Sequence, residues 1–172
     1  MSGAWTFEGP LATERLIIRA HTAEDLDDLL VFHSDAEVTR YIPWPVRTRE
    51  QTVEALAKKL VSASAPAPGH WLDLAIEERA TGTVIGGVVL KREEGTAAEI
   101  GYVLRRDRWG QGLATEAVVA FMEEARVRFG VTRFTAVVEA PNAASIRLLE
   151  RIGFVLDGET EPGLSRFALS HD

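Results

Sequence analysis

Apolar positions recur along the chain at two spacings, one strand-like and one helical, and their alternation lays out the elements. Glu14-Arg-Leu-Ile-Ile-Arg-Ala20 is a β-branched run with polar ends and reads as a first strand. Thr22 then stands as an N-cap before Ala23, Glu24 and Asp25, whose carboxylates suit the positive end of a helix dipole. Leu26, Leu29, Leu30 and Phe32/His33 supply that helix with one apolar face. Tyr41-Ile-Pro-Trp-Pro45 breaks the pattern, since each proline removes a donor and biases its predecessor to extended backbone. Thr48 caps a second helix predicted over residues 49–62, with Val53, Leu56, Ala57, Leu60 and Val61 as its inward stripe. Residues 1–12, with Trp5, Phe7, Gly9 and Pro10, read as an irregular arm, and the Pro-rich residues 63–69 as a flexible connection.

From residue 71 the spacing changes to that of strands. Residues 71–77 and 84–90 form an antiparallel hairpin around a Thr-Gly turn, and Glu93-Glu-Gly95 turns into a third strand over 98–104. Next comes Arg105-Arg-Asp-Arg-Trp-Gly-Gln-Gly-Leu-Ala-Thr115, then a helix whose stripe is Leu113, Ala114, Ala117, Val118, Phe121, Met122, Ala125 and Phe129, stopped by Gly130. A strand over 133–139 is expected to return parallel to 98–104, as a crossover through one helix demands. A short helix over 143–151 ends at Gly153, and Phe154-Val-Leu156 opens a last hairpin with 165–169. Strand, glycine turn and helix start are together the parts of an anion site. Gly110 and Gly112 let backbone approach a ligand, and the helix offers unpaired N–H groups at its positive end. The spacing is neither that of a dinucleotide fingerprint nor that of a P-loop. The same glycines also suit a plain helix entrance.

Composition narrows the chemistry. The 172 residues include no cysteine, which removes thiolate catalysis, disulfides and Cys-ligated metal, and the four histidines His21, His33, His70 and His171 lack metal-ligand spacing. No metal is expected. A formal charge of −7 argues against a sequence-independent grip on nucleic acid and favours a cationic acceptor, although solubility alone also accounts for it. No apolar run is long enough to cross a bilayer and no leader pattern opens the chain, so the expectation is a cytoplasmic protein without a membrane partner. Length fits one domain, 1–172, with a core at about 13–157. Against the global sign, Arg105, Arg106 and Arg108 gather beside the glycine loop, where a phosphorylated ligand needs cations.

Trp109-Gly-Gln-Gly-Leu-Ala114, followed by Thr115-Glu-Ala, resembles the acetyl-CoA pyrophosphate loop of the GNAT superfamily of N-acetyltransferases, with Trp109 where Gln or Arg is usual. Asn142-Ala-Ala-Ser145 and Glu150-Arg-Ile-Gly-Phe154 resemble the family's second signature, and Thr13-Glu-Arg-Leu16 resembles the opening of its RimJ/RimL-like branch. The resemblance implies an α/β fold: a mixed, mostly antiparallel sheet, splayed at one parallel strand pair and flanked by about four helices. It implies acetyl-CoA as co-substrate, wrapped by backbone from Arg108 through Trp109, Gly110, Gln111, Gly112, Leu113 and Ala114 to Thr115. The pantetheine arm would lie along Tyr102, Val103 and Leu104, with Asn142 contacting it and Arg147 near the adenosine phosphate. Tyr41 and Trp44 fall in the segment that walls the acceptor cleft in the family. Relatives of the fold often pair through edge strands or the C-terminal hairpin, so a homodimer is among the assemblies implied.

Two residues are candidates for proton transfer. Glu99 lies in an otherwise apolar strand, where desolvation raises a carboxyl's pKa and makes it a better base near neutrality. It is equally placed to be the outward residue of an alternating strand. The resemblance gives Ser145 the role of acid for the leaving thiolate, while the Asn142/Ser145 spacing is also that of a helix cap. Without cysteine, transfer must be direct within a ternary complex. Deprotonating a lysine at pH 7 costs about 4.6 kcal/mol and an α-amine about 1.1 kcal/mol. A single carboxylate base therefore favours a protein N-terminal α-amine or an activated small amine as acceptor. The alternative from another class is a CoA-binding regulator without catalysis.

Overall fold

The computed structural model describes residues 3–171. Its first short strand, β1 (Trp5–Thr6), belongs to the stretch expected to be irregular, and β2 (Leu11–Ala12) and β3 (Leu16–Ala20) follow as a hairpin. Trp5 stacks on Phe129 with ring centroids 5.2 Å apart, and Phe7 meets Phe121 edge-on, so aromatic burial ties the arm down. Thr22 stands at the expected cap and its N–H donates to Asp25 Oδ2 at 2.8 Å, but Ala23–Asp25 make a 3-10 turn before α1 (Leu26–His33) begins. A single-turn helix the sequence did not announce, α2 (Ala36–Thr39), is capped by Asp35, whose side chain accepts from the Glu37 N–H at 2.9 Å.

The second predicted helix, α3 (Arg49–Lys59), starts at its Thr48 cap and ends short of residue 62. Its inward face shares only Leu56 with the predicted one. Val53, Leu60 and Val61 are exposed, whereas Thr52 and Leu56 are buried and Lys59 points inward to Asp73. A hydroxyl bonded to the Thr48 carbonyl and an ammonium met by a carboxylate turn polar side chains inward here. The expected flexible connection contains β4 (Ser64–Ala65), which pairs antiparallel with β1 in a small separate sheet.

β5 (Trp71–Glu78), β6 (Val84–Arg92) and β7 (Ala97–Leu104) form the central meander. α4 (Leu113–Phe129) crosses to β8 (Arg133–Glu139), α5 (Ala143–Ile152) follows, and β9 (Val155–Glu161) and β10 (Leu164–Ser170) close the chain. The main sheet runs β2-β3-β5-β6-β7-β8-β10-β9, antiparallel except for β7 and β8. That parallel ladder holds only Ala97 to Arg133, Ala98 to Phe134 and Glu99 to Thr135, although both strands continue. Beyond Glu99 they part.

The core lies chiefly between the sheet and α4. Leu113, Ala117, Val118, Phe121, Met122 and Ala125 form the buried stripe that the periodicity predicts, each large side chain contributing roughly 1.5–3 kcal/mol of burial. A smaller cluster of Leu29, Phe32, Val38 and Leu56 covers Ala75 and Val84 on the opposite face. Five α-helices among the described residues, where about four were expected, thus sandwich a sheet opened at one seam.

Candidate active site

The glycine loop is built by backbone requirement. Gly110 and Gly112 sit at φ 72° and 76°, a left-handed conformation that L side chains rarely adopt. Gly112 is the residue before α4, so the N–H groups from Leu113 onward open a seventeen-residue helix with no preceding turn to satisfy them. Trp109 donates its indole N–H to the Leu104 carbonyl at 2.8 Å, fastening the loop to the end of β7.

Three residues outside the predicted site hold this loop from the other side. Arg15 donates to the Gln111 carbonyl at 2.9 Å and to Glu116 Oε1 at 2.8 Å, and Glu116 Oε2 accepts from the Thr13 hydroxyl at 2.6 Å. These bonds keep the Glu116 carboxyl below its ordinary range despite partial burial. Thr13, Arg15 and Glu116 all lie inside the motifs that carry the family resemblance, but their mutual contact spans a hundred residues of chain.

A chamber of about 540 Å3 opens on the loop and is lined by Trp109, Gly110, Gly112, Leu113, Ala114 and Thr115, with Leu104 and Arg108 beside them. Gln111 alone of the predicted loop residues lines neither chamber; its side chain turns to the Asp107 carbonyl. The arginine cluster is largely spoken for: Arg105 pairs with Asp107, Arg106 with Asp35 and Arg108 with Glu78 at 2.9 Å. Arg147 and Arg151, one turn apart on α5, face the same chamber and have no carboxylate partner among the described residues. They are the cations best placed for a phosphate. Unpaired N–H groups, two left-handed glycines and two free guanidiniums together fit a pyrophosphate-bearing ligand such as acetyl-CoA.

A second chamber, about 590 Å3, runs along the parted strands and is lined by Glu99, Trp44, Trp71, Lys59 and Asp73, among others. Tyr41, Tyr102, Val103, Asn142 and Ser145 line both chambers and mark where they meet. There the Tyr102 hydroxyl and Ser145 Oγ lie 2.7 Å apart. Burial raises the Tyr102 phenol above its ordinary value, with the Ser145 bond opposing. Asn142 does cap α5, its side chain accepting from the Ser145 N–H at 3.2 Å, which aims the serine at the junction. Glu99 stands on the last rung before the splay, between Lys91 and Thr135. Burial raises its carboxyl; Lys91 opposes and Glu93 adds to the shift.

An α/β sheet parted at its one parallel seam, with a helix N-terminus behind a glycine loop, defines a scaffold for a phosphorylated cofactor presented to a second substrate through the sheet. The family model described as "Acetyltransferase (GNAT) domain" matches residues 15–155. An uncharacterized N-acetyltransferase, p20, of Bacillus licheniformis is 33% identical over 150 residues, covering 86% of this chain and 83% of that protein. The crystal structure of a GNAT-family acetyltransferase from Bacillus anthracis superposes with a TM-score of 0.80 at 23% identity, covering 93% of this chain and 97% of that one. RimL, a ribosomal L7/L12 α-N-protein acetyltransferase solved with coenzyme A, superposes at 0.77 and 23% identity over 95% and 97% of the two chains. The chain belongs to the GNAT acetyltransferase family, and it is an acetyltransferase with the GNAT fold.

Proposed function

We propose that the protein transfers the acetyl group of acetyl-CoA directly to a primary amine, either a protein N-terminal α-amine or the amine of a small molecule. The observation that carries this reading is the junction of the two chambers, with Glu99 on the acceptor side and the Tyr102–Ser145 pair at the opening. Acetyl-CoA supplies an already activated thioester, so the chain has four tasks: to hold it, to present a neutral amine, to place the two and to return a proton.

Holding falls to the N–H groups of residues 112–115 and to Arg147 and Arg151. Beyond Glu99, where β7 leaves β8, the edge of β7 through Tyr102 and Val103 is open to an extended arm, and the Leu104 carbonyl is taken by the Trp109 indole N–H. Glu99 takes a proton from the acceptor ammonium, directly or through one water, as its raised pKa suits. The amine nitrogen then bonds to the acyl carbon, the carbon–sulfur bond breaks, and Ser145 gives its hydroxyl proton to the departing sulfur. Tyr102, hydrogen-bonded to Ser145, replaces that proton and regains one through water from the nitrogen, which sheds its second proton as the amide forms. The RimL likeness, at fold level, agrees with an N-terminal amine as acceptor.

Calorimetric titration with acetyl-CoA, followed by thiol-release assays on a panel of amines, tests the reading. Wild type should bind saturably. Gly112→Glu, which puts a side chain at φ 76° and a carboxylate among the N–H groups, should lose about 100-fold or more in affinity. A non-catalytic regulator would bind equally well yet release no thiol with any amine. Absence of binding at millimolar acetyl-CoA would overturn the cofactor assignment.

A further inference from the structure

One wall of the acceptor chamber gathers buried polar groups that are incompletely paired. Lys59, only 13% exposed, reaches Asp73 Oδ2 at 2.7 Å, which occupies one of its three ammonium protons. Arg47 stacks on Trp44, 4.5 Å from the ring centroid, and lies 3.4 Å from His33 Nδ1, with no carboxylate partner among the described residues. A guanidinium only donates, so His33 Nδ1 accepts and the ring proton sits on Nε2. Burial pushes the His33 pKa down to about 3, and Lys59 and Arg47 add to the shift, so the ring is neutral. Its Nε2–H and the Trp44 Nε1–H are both buried without a hydrogen-bond partner, as are Asp73 Oδ1 and the two His21 ring nitrogens.

The carboxylate bearing on this group is Asp73, already shared between Lys59 and the buried His21 ring, whose Nε2 is 3.3 Å from Oδ1. Lys59 and the unpaired Trp44 N–H are therefore the donors on the chamber wall, with Arg47 and His33 packed against Trp44 outside its lining. Each unsatisfied buried donor costs about 1–3 kcal/mol, a cost that a ligand oxygen would offset. Trp44, Lys59 and Asp73 line the same chamber as Glu99.

We propose that this wall receives a carboxylate carried by the acceptor, so that the substrate is an amine bearing a carboxylate: a free amino acid or a chain whose first residue is acidic. Lys59 and Trp44 take the carboxylate while Glu99 faces the amine, and Asp73 positions Lys59. A diamine or polyamine would bring a second cation against Lys59 instead. The inference rests on the acetyl-transfer reading.

The test compares thiol release for matched acceptors: alanine, alaninamide and ethylamine; glutamate and glutamine; and peptides beginning Asp or Asn. Wild type is set against Lys59→Arg, Lys59→Met and the charge-neutral pair Lys59→Met with Asp73→Asn, which keeps a folded comparison if the single variant fails to fold. Calorimetry with acetyl-CoA runs on each. A charge-assisted contact of about 1.5–3 kcal/mol predicts roughly a 10- to 100-fold preference for acid over amide, expressed in KM. The preference should persist in Lys59→Arg and collapse in the neutral pair. Preference for free amino acids over peptides assigns the carboxylate to a small molecule, and the reverse to an acidic first residue. Amides or diamines used as well as acids, or a preference surviving loss of Lys59, overturn the inference while acetyl transfer stands. No acetyl-CoA binding and no thiol release with any amine overturn both.

Discussion

Replacing Glu99 with Gln keeps the shape of the side chain and removes its ability to ionise, which separates a base from a strand residue. Glu99 is held on the last paired rung of β7 and β8, so the substitution disturbs neither the loop nor α4. General-base catalysis is commonly worth 10²- to 10⁴-fold, or about 2.7–5.5 kcal/mol of barrier. The drop should appear in kcat, with acetyl-CoA affinity unchanged. Stability should move the other way. Burial raises the Glu99 pKa in the folded state, so its contribution is favourable below its unfolded pKa and is lost as pH rises through the folded one. At neutral pH the ionised carboxylate is a burden, and Gln should leave the Tm equal or higher. The acid limb of kcat/KM, measured with an amine whose own pKa lies well below the assay range, should sit above the ordinary carboxylate range in wild type and vanish in the variant. An activity within about threefold of wild type, or a lower Tm at neutral pH with the acid limb intact, would refute the base assignment and leave Glu99 a structural residue.

Ser145→Ala should lower kcat by about 10²-fold with little change in acetyl-CoA affinity, and Tyr102→Phe by less, since Ser145 keeps its own proton; equal losses would make the phenol the direct donor. Arg147→Glu and Arg151→Glu should weaken CoA binding about tenfold each yet leave dephospho-CoA nearly unaffected, and calorimetry with both ligands reads the difference. Equal loss for the two ligands would remove these arginines from the adenosine phosphate. Glu116→Gln should cost about 2 kcal/mol of stability at neutral pH by weakening three contacts to Thr13 and Arg15. Because the Glu116 pKa is depressed on folding, that contribution is present above its unfolded pKa and lost as pH falls through the folded value, so wild type and variant should converge in acid. Urea unfolding at two pH values checks it.

The glycine loop and its helix were legible from the chain because their causes are local. A residue forced to positive φ, a cap and a 3.6-residue stripe all lie within about twenty positions, and Gly110, Gly112 and the face from Leu113 to Ala125 stand where the periodicity puts them. Glu99 and Ser145 were nameable as types in suitable elements. Their relation was not: Tyr102 meets Ser145 across 43 residues, and nothing near either reports the other. The arm around Trp5 was misread for the same reason, since its order comes from Phe129 and from β4 rather than from its own sequence. The arginines at 105–108 look free in the chain only because Asp35 and Glu78 arrive from other elements.

The α3 error is the most informative of these. A polarity pattern assigns Val53, Leu56, Ala57, Leu60 and Val61 to the core, because inward Thr and Lys are costly unless partnered, and of those core candidates only Leu56 is buried. In the fold Thr52, Leu56 and Lys59 face the sheet, and the valines at 53 and 61 face water. Choosing the polar face sacrifices apolar burial worth about 2–3 kcal/mol, while Asp73 Oδ1 and the Trp44 and His33 N–H groups beside Lys59 stay without hydrogen-bond partners. Where a helix turns its less apolar side inward and still leaves buried N–H groups unpaired, packing is a poor explanation for the arrangement, and departures of this kind from local consistency concentrate at sites that bind something. The inward turn of Thr52 and Lys59 on α3 and the unpaired groups around Lys59 thus have one physical origin.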